Sequence, residues 1–223
     1  MKKISILWAS LFSVALVGSV LAARGLEARG RASRFADDSI YLPPATFLQY
    51  VSLGYRTMVA DLMWIRAIQY FGKQLQIPNR EERQYKFFFP LLDLAVSLDP
   101  QFIDAYRLGG LLLHVVRRNE EAIALYEKGY AANPDRWEMP HDLGRLYYLE
   151  LKDYEKALYW WSITNRLPGR PEYIPRFIPL FYLETGQKEI AIELWLEMYR
   201  ATDNEWARSV IQGRLEKLGV EIQ

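Results

Sequence analysis

Asn119–Pro134 reads NEEAIALYEKGYAANP, and Lys152–Pro168 reads KDYEKALYWWSITNRLP. In each stretch an Ala is followed four residues later by an aromatic, Ala122 by Tyr126 and Ala157 by Trp161, and each ends on a proline, Pro134 and Pro168. The first stretch is preceded by Ser97–Pro100, SLDP, so that Pro100 and Pro134 lie 34 residues apart (134 − 100). Self-similarity at a fixed period of this size marks an array of stacked supersecondary units. Between the prolines the apolar residues recur at helical spacing. No run of Val, Ile and Thr alternates with polar residues from Ala45 onward, so the body of the chain is read as all-α without strands.

With Ile103 as position 1, Tyr106 is position 4, Gly110 position 8, Ala122 position 20, Tyr126 position 24 and Pro134 position 32. This register resembles the tetratricopeptide repeat, a 34-residue helical hairpin with large, small and aromatic residues near those positions. The next unit, third along the chain and counted from Trp137, places Leu143, Gly144 and Tyr147 on positions 7, 8 and 11. Ala157 and Trp161 then arrive one residue late, which predicts a one-residue insertion around Leu151–Asp153. A fourth unit counted from Glu172 places Tyr182, Ala191, Trp195 and Met198 on positions 11, 20, 24 and 27. Here Pro175 and Pro179 replace the usual large residue and Gly, and Pro179 predicts a kink in the unit's first helix. Upstream, Trp64 and Phe71 fit positions 4 and 11, and Leu92, Ala95 and Pro100 close that unit. It is too long, and Ile77–Gln84, IPNREERQ, reads as its insertion.

The resemblance covers residues 61–204 and implies an all-α solenoid of about four helical hairpins. Its physical basis is that small residues at positions 8 and 20 let the two helices approach, while bulky residues at 4, 11 and 24 fill the remaining space. One hairpin cannot bury its apolar face alone, so neighbours stack and the last one needs a cap. Residues 205–223 supply it: Glu205–Lys217 reads as an amphipathic helix with Trp206, Val210, Ile211, Leu215 and Leu218 on its apolar side.

The N-terminal part divides into a segment 1–24, a polar linker 25–40 and an N-terminal helical cap 41–60. Lys2 and Lys3 precede Ile4–Ala23, twenty residues without a charge, the length of a membrane-crossing helix. An uncleaved anchor and a signal peptide cleaved near Ala22 both fit. Arg24, Arg29, Arg31 and Arg34 follow at once and favour the anchor; they nearly balance Lys2, Lys3 and the amino terminus in the positive-inside count, and the Lys pair before the apolar run reads as an export signal that puts the body on the periplasmic or extracytoplasmic side. Leu53-Gly54 reads as a helix junction, and Tyr55, Met58, Val59, Leu62, Ile65 and Ile68 follow helical spacing. Residues 44–72 are more apolar than a first repeat requires. They read as a cap for the solenoid, or as a surface docking on a membrane partner. The run from Tyr41 to Gly72 resembles the start of a group of bacterial repeat proteins. Asp61 and Arg66 lie in this apolar stretch and are expected to be satisfied locally.

For function, the exclusions are the clearest part. A formal net charge of +1 gives no footprint for nucleic acid. The absence of Cys removes disulfides, thiolate metal sites and cysteine nucleophiles. The two His residues, His114 and His141, stand in no metal-binding or catalytic spacing. Gly109-Gly110 is a repeat position and not a phosphate loop. The reading is therefore a chain with no catalytic, cofactor or metal site, and a small-molecule ligand is disfavoured. The resemblance implies instead a groove lined by positions 2, 5, 9, 12 and 13 of the first helices, which takes a peptide or helix from a protein partner. The candidate groove residues are Arg107, His114, His141, Arg145, Tyr148 and Arg176. The three Arg either recognise an acidic segment or pair with Asp104, Glu138 and Glu184 on the same surface. Leu108 and Leu111 stand where chaperone-binding members carry polar clamp residues, so a co-chaperone role is disfavoured.

Overall fold

The computed structural model describes residues 42–221, and the membrane segment 1–24 and linker 25–40 expected from the sequence lie outside them. Ten α-helices follow: α1 Ala45–Val51, α2 Arg56–Leu75, α3 Phe88–Leu98, α4 Ile103–Val115, α5 Asn119–Ala132, α6 Glu138–Leu146, α7 Tyr154–Arg166, α8 Ile174–Glu184, α9 Lys188–Ala201 and α10 Glu205–Lys217. There is no strand among the described residues, and no described helix is long and apolar enough to cross a membrane. The helices pair as hairpins α2/α3, α4/α5, α6/α7 and α8/α9, each packed on the next, with α10 on α9. The array is all-α and tetratricopeptide-like.

In the two central hairpins an aromatic ring packs directly on the backbone where the register puts its small residue. A Cβ on Gly110 of α4 would lie 2.4 Å from the ring of Tyr126 on α5. A Cβ on Gly144 of α6 would lie 1.9 Å from Trp161 on α7. Ala122 and Ala157, on the facing helices, are fully buried. Because Gly144 has no side chain, the Trp161 indole reaches the backbone of α6, and its Nε1–H donates to the His141 carbonyl at 2.9 Å. In the last hairpin the equivalent site is Pro179, buried inside α8. The expected kink does not break the helix, which runs uninterrupted from Ile174 to Glu184. Pro179 removes one backbone donor there, and Pro175, in the first turn, removes one that would have no intrahelical partner.

The hairpin turns show where the extra residue of the third unit goes. At the end of α4, Arg117 is left-handed and the Arg118 N–H donates to the Leu113 carbonyl, five residues back. At the end of α8, Gly186 is left-handed and the Gln187 N–H donates to Tyr182, again five back. This closure satisfies the last carbonyls of a helix. After α6 the left-handed residue is Lys152, and the Asp153 N–H donates to the Tyr147 carbonyl, six back. The insertion therefore lies inside the ring and not in the turn at Leu151–Asp153: Tyr147–Leu151 winds as a π-helical turn. A π turn is the usual way for a helix to hold one residue too many. The turn then closes as in its neighbours, so α7 meets α6 with Ala157 and Trp161 in place.

The long insertion of the first hairpin is tied down by its neighbours. Gln74 accepts from the Gln84 N–H at 2.8 Å, the Tyr70 hydroxyl donates to the Gln84 carbonyl at 2.6 Å, and Arg83 donates to the Ile77 carbonyl at 3.0 Å. The junction at Leu53-Gly54 is a turn in which both residues have positive φ, and α2 continues without interruption across residue 60. At the other end, Ile211 and Leu215 of α10 are buried against Ala191 and Trp195. Trp206 and Val210, expected on the same buried side, are instead exposed, Trp206 to 69%. They follow α10's other edge, which turns towards α8.

Gly144→Ala is expected to destabilise the protein by about 1–3 kcal/mol, because the indole of Trp161 must move to admit the methyl group. Gly213 lies in α10 with nothing within 4 Å of a Cβ, so Gly213→Ala is expected to be neutral or stabilising by up to about 1 kcal/mol. Urea titrations monitored by circular dichroism measure both.

A candidate groove, closed at its centre and open at its C-terminal end

The third unit's extra residue leaves position 5 of successive first helices occupied by Arg107, His141 and Arg176, with Val210 at the equivalent place on α10. Spacings of 34, 35 and 34 residues separate them (141 − 107, 176 − 141, 210 − 176). The first two belong to one closed polar network around Asp142. The carboxylate of Asp142, whose side chain is 8% exposed, accepts from Arg107 Nε at 3.1 Å. Its other oxygen lies 2.9 Å from His141 Nδ1, and Arg145 Nε is 3.9 Å away. A carboxylate can only accept, so His141 Nδ1 carries a proton, and the other ring nitrogen, Nε2, lies within hydrogen-bond distance of the Tyr173 hydroxyl, at 2.5 Å. Arg107 also lies over the Trp137 ring.

The titration shifts follow from this burial. The Tyr126 hydroxyl, which donates to the Arg107 carbonyl at 3.3 Å, is pushed well above its ordinary range by burial and by the Asp142 charge. Tyr173 is raised by the same two causes. For Arg107 burial works downward, but the carboxylate of Asp142 outweighs it and holds the guanidinium charge.

The six candidate residues are thus separated into two groups. Arg107 and His141 are engaged with Asp142, and Arg145 lies at the edge of the same network. His114 is held by Asn119 at 2.9 Å on Nδ1 and faces Glu150 at 3.4 Å from Nε2. Tyr148 packs among Trp161, Phe177 and Phe181, with ring centroids 5.0 Å from Phe181, so it is part of the hairpin interface. The Arg residues do pair, but across repeats: Arg107 binds Asp142, 35 residues on (142 − 107), and not Asp104, while Glu138 pairs with Arg136. Only Arg176 is exposed and has no ion-pair partner among the described residues.

Arg176 opens onto a cleft of about 250 Å³ between α8, α9 and α10. Its floor includes Phe177, Leu180, Trp195 and Met198, and its far wall is Trp206, Val210 and Arg214 of α10. The Arg214 guanidinium lies 5.6 Å over the Trp195 ring, and no carboxylate of the described residues pairs with it. The cleft therefore sets two unpaired guanidinium groups against an apolar, aromatic surface. Sequence reasoning missed Asp142 because its partner comes from the preceding repeat. It missed the α10 wall because Trp206 and Val210 read as core. A signal was present: Val210 and Arg214 lie 34 residues after Arg176 and Leu180, so α10 repeats the first-helix register of α8.

No family model matches the chain, and no curated protein matches it. Among solved structures it is similar to a chain in the structure of Naa15/Naa10 bound to HypK-THB, at 20% identity and a TM-score of 0.45, over 68% of this chain and 24% of that one. The described chain thus spans about a quarter of that protein's length. It is also similar to two structures of MamA, each at 16% identity and a TM-score of 0.43. They cover 74% of this chain and 82% of that one in the first case, and 70% and 92% in the second.

Asp142→Asn removes the charge that holds Arg107 and His141, and is expected to lower stability by about 1–3 kcal/mol. Arg176→Ala, on an exposed residue without an ion pair, is expected to change it by less than about 0.5 kcal/mol. Thermal and urea melts of the two variants separate the structural Arg site from the open one.

Proposed function

We propose that this chain is a protein-interaction scaffold without catalytic activity, held at a membrane by residues 4–23 and presenting its repeat array on the extracytoplasmic side, where it helps to assemble a bacterial envelope complex. Pilus, polysaccharide-export and secretion machineries are examples by analogy of architecture alone. The observation that carries the binding reading is the cleft at Arg176 and Arg214. The other candidate groove residues are engaged in ion pairs, hydrogen bonds or aromatic contacts, and Arg176 is not. Two guanidinium groups over an apolar floor suit a peptide or helix that presents a carboxylate next to an apolar side chain, since Arg binds carboxylates in a bidentate fashion and also stacks on rings.

A second reading has its own support. Tyr50, Leu53, Tyr55, Met58, Leu62 and Ile65 of the 44–72 segment are exposed. A stoichiometric subunit of a large membrane complex would dock through such a face.

The full chain, extracted from membranes in mild detergent, is compared with its Arg176→Ala/Arg214→Ala variant. Loss of co-purifying proteins by about tenfold or more, with circular dichroism unchanged, is the expected result. Retention of every partner by that variant, with loss on Leu62→Lys, rejects the cleft in favour of the second reading. Intact-mass measurement of the extracted protein decides the tether: retention of residues 1–23 is expected, and a mature terminus at Ala23 overturns it.

A further inference from the structure

Over its first three turns helix α2 carries its exposed large apolar residues in a narrow stripe, while Leu75 at its last turn lies off it. Tyr55, immediately before the helix, and Met58, Leu62 and Ile65 within it are spaced three, four and three residues apart. That is the alternation of a coiled-coil seam, in which two helices meet along one side. The opposite side of α2 faces the body: Ala60 and Ala67 are fully buried, Ala60 beside Leu94 and Leu98 of α3. The stripe therefore points directly away from the array, and no described element covers it.

Asp61 and Arg66 flank the stripe. The local satisfaction expected for them is not found, since both are exposed and neither has an ion-pair partner among the described residues. They stand five residues apart, about 140° around an α-helix, and so lie on opposite flanks and cannot reach each other. In a parallel two-stranded seam, however, the flank residue before one core layer faces the flank residue five positions further along the partner helix. The spacing of Asp61 and Arg66 is that spacing. A parallel pair of α2 helices brings Asp61 of each copy to Arg66 of the other, twice by symmetry. An antiparallel pair brings the two Asp61 carboxylates together and is disfavoured.

We infer that the α2 stripe is a self-association surface, on which a second copy of this chain docks in parallel and in register through Tyr55, Met58, Leu62 and Ile65, with reciprocal Asp61–Arg66 ion pairs. The body behind α2 leaves one free side of the helix, so two copies meet. The seam is short, and its association depends on raised local concentration. Two chains tethered in one bilayer supply this and enter with the same polarity; that part rests on the proposed tether, while the seam itself does not rest on the Arg176 cleft.

The chain has no Cys, so a single one reports cleanly. The full chain carrying Ile65→Cys is oxidised in native membranes, with Gln212→Cys on α10 as the control. The inference expects a covalent dimer from Ile65→Cys and monomer from the control. In the Ile65→Cys background, Asp61→Arg is expected to lower the dimer yield roughly five-fold, and Asp61→Arg with Arg66→Asp to restore it. Circular dichroism confirms that each variant is folded. The inference is overturned if Ile65→Cys stays monomeric while a maleimide labels it freely, if it links to a protein of another sequence, or if only lipid photoprobes react along the stripe. It is equally overturned if the charge variants leave the yield unchanged. The groove is tested separately by Arg176 and Arg214, so either idea can fail alone.

Discussion

The structure depends on one steric condition: in each central hairpin, an aromatic ring lies where a side chain of the facing helix is missing. Tyr126 lies over Gly110 and Trp161 over Gly144, at distances that no Cβ would allow. This contact sets the helix spacing, and the spacing sets everything stacked on it. It explains why the third unit tolerates an extra residue only as a π turn. The ring of Trp161 has one place to go, so the insertion had to be absorbed before α7 begins, with Tyr147 still in the core at the end of α6. It also explains why the Trp161 indole can donate to the His141 carbonyl, which links the apolar contact to the polar network beside it.

That network gives the inner surface its character. Asp142 is a nearly buried carboxylate, and burying it is tolerable only because Arg107 and His141 are both within hydrogen-bond reach. The pairing joins one repeat to the next and acts as a polar weld between hairpins, so the middle of the inner surface is committed to holding the array together. The ends, where the described stacking stops, lie outside this network. At the C-terminal end α10 has the inner register of another unit, and no described helix follows it. The positions that such a helix would cover include Ser209, Gly213 and Glu216, small or polar residues that suit solvent. At the N-terminal end α2 shows the opposite choice, an apolar stripe with a charge on each flank.

The sequence by itself determined the helical class, the period, and the residues that pack each central hairpin. Steric needs at positions 8, 20 and 24 are local to one hairpin and leave a direct trace in Gly110, Ala122, Tyr126 and their counterparts. It also determined the closing helix Glu205–Lys217, the insertion at Ile77–Gln84 and the junction at Leu53-Gly54, all of which carry their own turn or capping chemistry. Only the tertiary structure decided which charged residues are spent on the fold and which remain free. Arg107, Arg145 and Arg176 look alike along the chain; Arg145 lies one helical turn from Asp142 on α6, but only the stacking of hairpins brings Asp142 to Arg107 and leaves Arg176 beside an open cleft. Likewise Trp206 and Leu215 look equally apolar on α10, and it is the angle of that helix against α8 and α9 that buries one and exposes the other. Long-range pairing depends on how rigid bodies stack, and a one-residue π turn is enough to change it.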